Sequence, residues 1–164
     1  ALEYLARQKG YELRTVKAAI DVNRDQKVRL FRKASDRLIT FAGLKVAVLG
    51  LTFKPGTDDL REAPSLENIP LLLEAGAEVY AYDPVGEENF KKKMAETINY
   101  VHTPQEALNG AGVCFIFTEW NEIKDVKPAE YKKLMKIPLV YDGRNIYSLE
   151  AMQMAGVEYY SIGR

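Results

Sequence analysis

An apolar run closed by a glycine, Lys45-Val46-Ala47-Val48-Leu49-Gly50, predicts the first strand of a sheet. Its β-branched residues favour an extended backbone, and the glycine lets the chain turn sharply where the strand ends. Similar runs follow at residues 78–83, 98–101, 113–118, 139–142 and 158–160. Segments with helical spacing alternate with them, at residues 65–75, 87–96, 128–135 and 148–155, and a further helix begins at Thr103-Pro104. This alternation predicts an α/β fold with a doubly wound, mostly parallel sheet.

The N-terminal part has a different pattern, because residues 1–42 contain no proline and only one glycine, Gly10. Apolar residues recur there at helical spacing and predict a short helix to Lys9, followed by a long helix over residues 12–40. A helix of that length spans about 40 Å, more than a compact domain of this size needs. It either lies across its own domain or connects domains and subunits through apolar residues on more than one face.

The composition excludes several classes of function. The 164 residues contain 23 Lys and Arg against 23 Asp and Glu, so no positive field attracts nucleic acid or an anionic membrane. No apolar stretch reaches the roughly 18 residues that a membrane span needs, and the N-terminus shows no signal-peptide pattern. The one cysteine, Cys114, cannot form an internal disulfide, which favours a reducing compartment. We therefore expect a cytoplasmic protein without nucleic-acid or membrane partners.

Ligands of open parallel sheets bind beyond the carboxyl ends of the strands, so the loop after the first strand is the first place to look. Thr52 and Pro55 stand where the second and third glycines of a G-x-G-x-x-G fingerprint would lie, so a tight dinucleotide turn is not expected. The loop carries Lys54 and Arg61 instead, two cations that suit a phosphate-bearing ligand. The alternative is that neighbouring acids, Asp58, Asp59 and Glu62, form salt bridges with them.

Three other loops follow strands at the same edge of the predicted sheet. Arg144, in Asp142-Gly143-Arg144-Asn145, either binds phosphate through its guanidinium or stabilises the turn. Asp83 stands where dinucleotide folds carry a ribose-binding acid, but without the fingerprint we predict that it caps the turn at Pro84. Glu119 either lines the same crevice or is a solvated loop acid. Together the loops predict one crevice surrounded by three cations, Lys54, Arg61 and Arg144.

The sequence offers no clear catalytic group and no metal site. His102 is the single histidine, and no serine or cysteine nucleophile is arranged around it, so we expect a surface or structural histidine. Cys114 lies within a buried strand, where the pKa of a thiol rises and the side chain behaves as a small apolar group. No Cys or His spacing resembles a metal-binding motif. We therefore predict no catalytic residue and no metal ligand in this chain.

Nearly the whole chain resembles the C-terminal portion of the nucleotide-sugar 6-dehydrogenases, the UDP-glucose/GDP-mannose dehydrogenase family. The matching segments occur in the family's order: residues 19–26, residues 50–65, Tyr82-Asp83-Pro84, Thr118-Glu119-Trp120, Asp142-Gly143-Arg144-Asn145 and residues 159–164. Two of them, Thr118-Glu119-Trp120 and Asp142-Gly143-Arg144-Asn145, look more like the members that act on UDP-glucose than like those that act on GDP-mannose or UDP-N-acetylmannosamine.

The resemblance implies a Rossmann-like domain, residues 43–164, that binds the UDP of a nucleotide sugar. It implies that residues 1–42 are the central helical segment, which joins two domains and forms a homodimer. Members of the family oxidise the C6 alcohol of the sugar to a carboxylate by two hydride transfers to NAD, through a covalent intermediate on a cysteine.

The resemblance also assigns roles to individual residues. Phe53, Lys54 and Arg144 resemble the residues that contact the substrate, and Arg61 resembles an arginine that reaches the NAD bound by the other domain.

One departure from the family limits the expected activity. The nucleophilic cysteine of the family lies in a Gly-Gly-x-Cys-x-Pro-Lys-Asp segment ahead of the central helix, and Cys114 does not stand in its place. The NAD-binding domain is also missing, so the resemblance implies a C-terminal fragment that oxidises nothing by itself. Two alternatives stay open: a dimerising interaction module without a ligand, and the same domain of a GDP-mannose or UDP-N-acetylmannosamine dehydrogenase.

Overall fold

The computed structural model describes residues 2–94 and 98–163. In these ranges the strands are β1 (Lys45–Leu49), β2 (Glu78–Tyr82), β3 (Asn99–Tyr100), β4 (Val113–Ile116), β5 (Leu139–Asp142) and β6 (Glu158–Ser161). The helices are α1 (Leu2–Gln8), α2 (Arg14–Lys27), α3 (Arg29–Arg37), α4 (Pro64–Glu74), α5 (Glu87–Met94), α6 (Pro104–Leu108), α7 (Asn121–Lys124), α8 (Pro128–Leu134) and α9 (Leu149–Met154). The predicted end of α5, residues 95–96, lies outside the described residues. None of the helices in the two described ranges is long and apolar enough to cross a membrane.

The six strands form one sheet in the order β3-β2-β1-β4-β5-β6, and every neighbouring pair is parallel. This order confirms the predicted doubly wound sheet. From β1 the sheet continues to one side through β2 and β3, and from β4 to the other side through β5 and β6. In sheets of this kind, the crevice for ligands lies at the carboxyl ends of the two central strands, here β1 and β4.

Both faces of the sheet are buried, because successive side chains of a strand point to opposite sides. Val46 and Val48 of β1 pack into a core with α3 and α4, whereas Ala47 and Leu49 pack into a second core with α6, α8 and α9. Burial of both faces explains why the strands are continuous apolar runs rather than alternating ones.

The N-terminal segment differs from the prediction of one long helix over residues 12–40. The helix is interrupted at Val28, whose φ of −97° and ψ of 6° lie outside the α-helical range, so α2 and α3 are separate. The side-chain amide of Asn68 in α4 donates a hydrogen bond of 2.7 Å to the carbonyl of Lys27, immediately before the break. The prediction of one helix was wrong, and the structure has two. The contact with Asn68 and the burial of Leu30 explain why the chain changes direction here.

Helix α3 packs as part of the sheet domain. Leu30 is 2% exposed and Ala34 is fully buried, both in the core on the α4 side of the sheet. Arg37 donates two hydrogen bonds, of 2.8 and 3.1 Å, to the carboxylate of Glu158 at the edge strand β6. In contrast, none of the described residues of α1 and α2 is buried. The domain boundary at residue 42 stays a prediction.

The burial of α3 predicts the effect of shortening its main anchor. Leu30→Ala should lower the free energy of unfolding by about 2–5 kcal/mol, because it removes a buried side chain and leaves a cavity. Ile39→Ala, at a fully exposed position just after α3, is the matched control and should change it by less than about 0.5 kcal/mol. Urea unfolding followed by circular dichroism measures both. Equal, small losses would mean that α3 does not unfold together with the sheet.

Candidate functional site

Asp83 organises the carboxyl end of the sheet. Its side chain is 5% exposed, and its Oδ2 accepts hydrogen bonds from the backbone amides of Leu51 and Thr52 at 2.7 and 3.0 Å and from Nε1 of Trp120 at 3.1 Å. Its Oδ1 accepts from the amide of Gly86 at 2.7 Å. The predicted capping of the turn after β2 is confirmed. Because both oxygens already have donors, Asp83 is not available to bind a ribose.

The same contacts remove the usual dinucleotide cradle. In a dinucleotide fold, the backbone at the end of β1 approaches a pyrophosphate, but here the amides of Leu51 and Thr52 donate to Asp83. Gly50, with φ +90°, lies so close to Thr118 that an added Cβ would be 2.5 Å from the Thr118 Cβ. The residues at this position therefore do not fit NAD in the manner of a Rossmann domain.

Asp142 builds the turn that carries Arg144. It is fully buried, and its Oδ1 accepts from the amides of Arg144 and Asn145 at 2.6 and 2.9 Å. Its Oδ2 accepts from the amide of Ile146 at 2.8 Å and from the hydroxyl of Tyr159 at 2.6 Å. Because a buried carboxylate is stable only with such partners, the turn after β5 has one well-defined shape.

Arg144 connects three loops. Its Nε donates to the carbonyl of Phe117 at 2.8 Å and lies 2.9 Å from Oε2 of Glu119, and its Nη2 donates to the carbonyl of Phe53. Arg144 therefore stabilises the turn, and Glu119 is its ion-pair partner. Among residues 2–94 and 98–163, Nη1 of Arg144 has no hydrogen-bond partner, so one edge of the guanidinium is left for a ligand.

Arg144 and Phe53 line a small hollow of about 200 Å³, which we name the Arg144 hollow. The C-terminal part of α2 contributes Asn23, Gln26 and Lys27 to its lining, and Glu62 lines it too. The volume suits a phosphate or diphosphate group rather than a whole nucleotide. Phe53 is 43% exposed at its rim, so its ring is accessible.

Lys27 and Glu62 are site residues that the sequence analysis missed. They are 35 positions apart and form an ion pair in which the Lys27 side chain is only 13% exposed. A signal was present for Lys27, because it immediately follows the helical segment 19–26 that resembles the family. Glu62 lies within residues 50–65, which also resemble the family, but its sequence neighbours suggested a partner within its own loop.

Arg61 occupies a different hollow, of about 520 Å³, together with Asn89, Lys92 and Lys93. Its guanidinium pairs with Asp59, with Nη2 at 2.7 Å from Oδ2, and hydrogen bonds from Arg61 lower the pKa of Asp59 to about 2. The salt-bridge alternative is therefore what the structure shows for this residue.

The expected crevice with three cations is corrected to two separate hollows. Arg61 lies apart from Arg144 because Asp59, two positions before it in the chain, holds its side chain. Lys54 is exposed and lines neither hollow. The functional roles of Phe53, Lys54, Arg61 and Arg144 stay predictions.

The remaining reactive side chains lie away from these hollows. His102 is exposed, as predicted, and its backbone amide donates to the Glu106 carboxylate. Cys114 is fully buried in β4, and burial raises the pKa of its thiol well above its usual value. The described part of the chain contains no group of three His, Cys, Asp or Glu residues that could hold a metal ion.

Known proteins resemble this chain in both sequence and fold. Residues 47–149 match the model of the UDP-glucose/GDP-mannose dehydrogenase family, UDP binding domain. The chain belongs to this family. UDP-glucose 6-dehydrogenase YwqF of Bacillus subtilis is 41% identical over 164 residues, which cover 100% of this chain and 37% of that protein. The chain thus spans little more than a third of this relative's length.

Two solved structures of UDP-sugar dehydrogenases have a similar fold. A UDP-glucose dehydrogenase from Pyrobaculum islandicum has a TM-score of 0.81 at 30% identity, covering 99% of this chain and 35% of that chain. A UDP-D-ManNAc dehydrogenase from Pyrococcus horikoshii has a TM-score of 0.62 at 26% identity, covering 88% and 30%. The Rossmann-like fold inferred from the resemblance is confirmed.

The contacts of Asp83 predict a large effect from an isosteric change. In Asp83→Asn an amide group replaces one carboxylate oxygen and leaves at least two backbone N–H groups without their acceptor, whichever oxygen is replaced. The free energy of unfolding should fall by at least about 2 kcal/mol, and the fluorescence of Trp120, the single tryptophan, should change. Asp125→Asn, at an exposed position, is the control and should change neither. Wild-type stability in Asp83→Asn would contradict the assigned role.

Proposed function

We propose that this chain is the nucleotide-sugar-binding part of an NAD-dependent UDP-glucose 6-dehydrogenase, which converts UDP-glucose to UDP-glucuronate. The observation that carries the proposal is the free edge of the Arg144 guanidinium in a hollow of diphosphate size. Arg144 binds the diphosphate, because a guanidinium suits phosphate oxygens in direction and charge. Phe53 at the rim and the exposed Lys54 contact the rest of the substrate.

UDP-glucose is preferred over related nucleotide sugars on the basis of the relatives. The curated relative with 41% identity over the whole chain carries the name UDP-glucose 6-dehydrogenase, and the solved UDP-glucose dehydrogenase has a higher TM-score than the UDP-D-ManNAc enzyme. A UDP-N-acetylmannosamine or GDP-mannose substrate is the alternative. The Thr118-Glu119-Trp120 segment, whose glutamate lies against Arg144, supports the UDP-glucose assignment.

NAD, which accepts the hydride in this reaction, is proposed to be held mainly by protein outside this chain. The loop after β1 offers it no cradle, since the amides of Leu51 and Thr52 are used by Asp83. Arg61 is the residue of this domain that we propose to contact NAD, because its side chain is 84% exposed and can reach outward. Buried Cys114 does not suit a nucleophile, so we expect the chain alone to turn over no substrate. The reaction is assigned to the cytoplasm.

We also propose that the chain forms a homodimer through its N-terminal helices. Helix α2 exposes Ile20 and Val22 at 50% and 59%, and α1 exposes Leu2 and Leu5 at 64% and 57%. Apolar side chains exposed on neighbouring helices are typical of an interaction surface. The same surface is what a pure interaction module would need, so ligand binding distinguishes the two candidate functions.

Calorimetric titration with UDP tests the substrate assignment. The wild-type chain should bind UDP weakly, and Arg144→Ala should lower the affinity by about tenfold or more, because a charged hydrogen-bond donor is lost. Arg14→Ala, at a position with an 89% exposed side chain, should bind like wild type. Wild-type affinity in Arg144→Ala would contradict the assignment, and an absence of UDP binding in wild type would favour the interaction module.

Sedimentation velocity tests the dimer. The wild-type chain should sediment as a dimer, and the double variant Ile20→Asp, Val22→Asp should sediment as a monomer, because burying charges without partners is costly. Met154→Asp changes a side chain that is 82% exposed on α9 and serves as the control, which should remain dimeric. A monomeric wild-type chain at micromolar concentration would reject the proposed interface.

A further inference from the structure

The Arg144 hollow contains a second cation, which the sequence analysis did not name as a site residue. Lys27, the last residue of α2, lines it together with Arg144, and its side chain is 13% exposed. Its backbone carbonyl is fixed by the side chain of Asn68, and thus the end of α2 is held against α4. A cation on a largely covered side chain gains from an anionic partner, because losing water around an unpaired charge is costly.

Glu62 supplies this partner, and it is placed so that a ligand could displace it. Its side chain is 72% exposed, so it loses little hydration on pairing and regains little on release. The ion pair lowers the pKa of the Glu62 carboxyl, which keeps the group charged. Its backbone has φ +65°, a conformation uncommon for residues other than glycine, which aims this side chain toward α2. The Lys27–Glu62 pair therefore joins a partly buried cation to an exposed, replaceable anion.

We propose that Lys27 is a second anion-binding residue of the Arg144 hollow, and that a phosphate group of the ligand replaces Glu62 as its partner. The ligand class is a diphosphate-bearing nucleotide, and in this respect the inference rests on the proposed function. Two cations from different elements, Lys27 of α2 and Arg144 of the turn after β5, then hold the diphosphate. Asn23 and Gln26, which belong to the same helix as Lys27 and also line the hollow, supply amide groups for further hydrogen bonds.

Two variants of the ion pair separate ligand binding from a structural role. Lys27→Met removes the cation and keeps the backbone contact with Asn68, whereas Glu62→Gln removes the competing anion and keeps the cation. In calorimetry, Lys27→Met should bind UDP with an affinity lower than that of wild type by about tenfold or more. Glu62→Gln should bind UDP more tightly than wild type. Lys17→Met, on the exposed surface of the same helix, is the control and should bind like wild type. Thermal unfolding checks that each variant is folded.

Weaker UDP binding by Lys27→Met together with stronger UDP binding by Glu62→Gln supports the proposal. If the ion pair were purely structural, both variants would break the same contact, and both would change the affinity in the same direction. Unchanged UDP affinity in folded Lys27→Met, with the loss in Arg144→Ala intact, overturns this inference and leaves the proposed function standing. A second titration uses inorganic pyrophosphate. If wild type binds pyrophosphate through Lys27 but does not bind UDP, the anion site stands and the proposed substrate falls.

Discussion

The carboxylate of Asp83 fixes the edge of the sheet on which the candidate site is built. It binds the amides of Leu51 and Thr52, so the chain leaves β1 in one direction and presents the Phe53 carbonyl to Arg144. Asp142 does the same for the turn that carries Arg144. Both carboxylates are buried and satisfied largely by backbone N–H groups, an arrangement that is costly to disturb and therefore rigid.

This rigidity accords with the proposal that the Rossmann-like sheet binds a ligand other than a dinucleotide. The strand order of a dinucleotide-binding domain is retained, but the amides at the end of β1 bind a carboxylate of the protein itself. The candidate site lies instead between the loop after β1, the turn after β5 and the end of α2. A small, cation-lined hollow of this kind suits the proposed role, in which this domain holds one end of a nucleotide sugar and another domain provides the cofactor.

Much of the fold could be predicted from the sequence, because apolar runs and helical spacing are local signals. The sheet, the capping role of Asp83 and the burial of Cys114 all follow from such patterns. The break at Val28 does not, since the helical spacing continues across it and the break depends on Asn68, 41 positions away from Lys27. Short α7 was missed because four residues give too little periodicity to recognise.

The site was harder to predict than the fold for a similar reason. Lys54, Arg61 and Arg144 follow strands at one edge of the sheet, but position in the sequence does not show which acid will bind each cation. Asp59 pairs with Arg61 within the loop, and Glu62 pairs instead with Lys27 on α2. The cations that share a hollow are therefore Lys27 and Arg144, a combination set by packing between helix and sheet.

A crystal structure of the chain with bound UDP would test this account most directly. The diphosphate should lie in the Arg144 hollow, within hydrogen-bonding distance of the Arg144 guanidinium and the Lys27 ammonium, with Glu62 turned away from Lys27. A diphosphate bound beside Arg61, Lys92 and Lys93, with the Lys27–Glu62 pair intact, would contradict it.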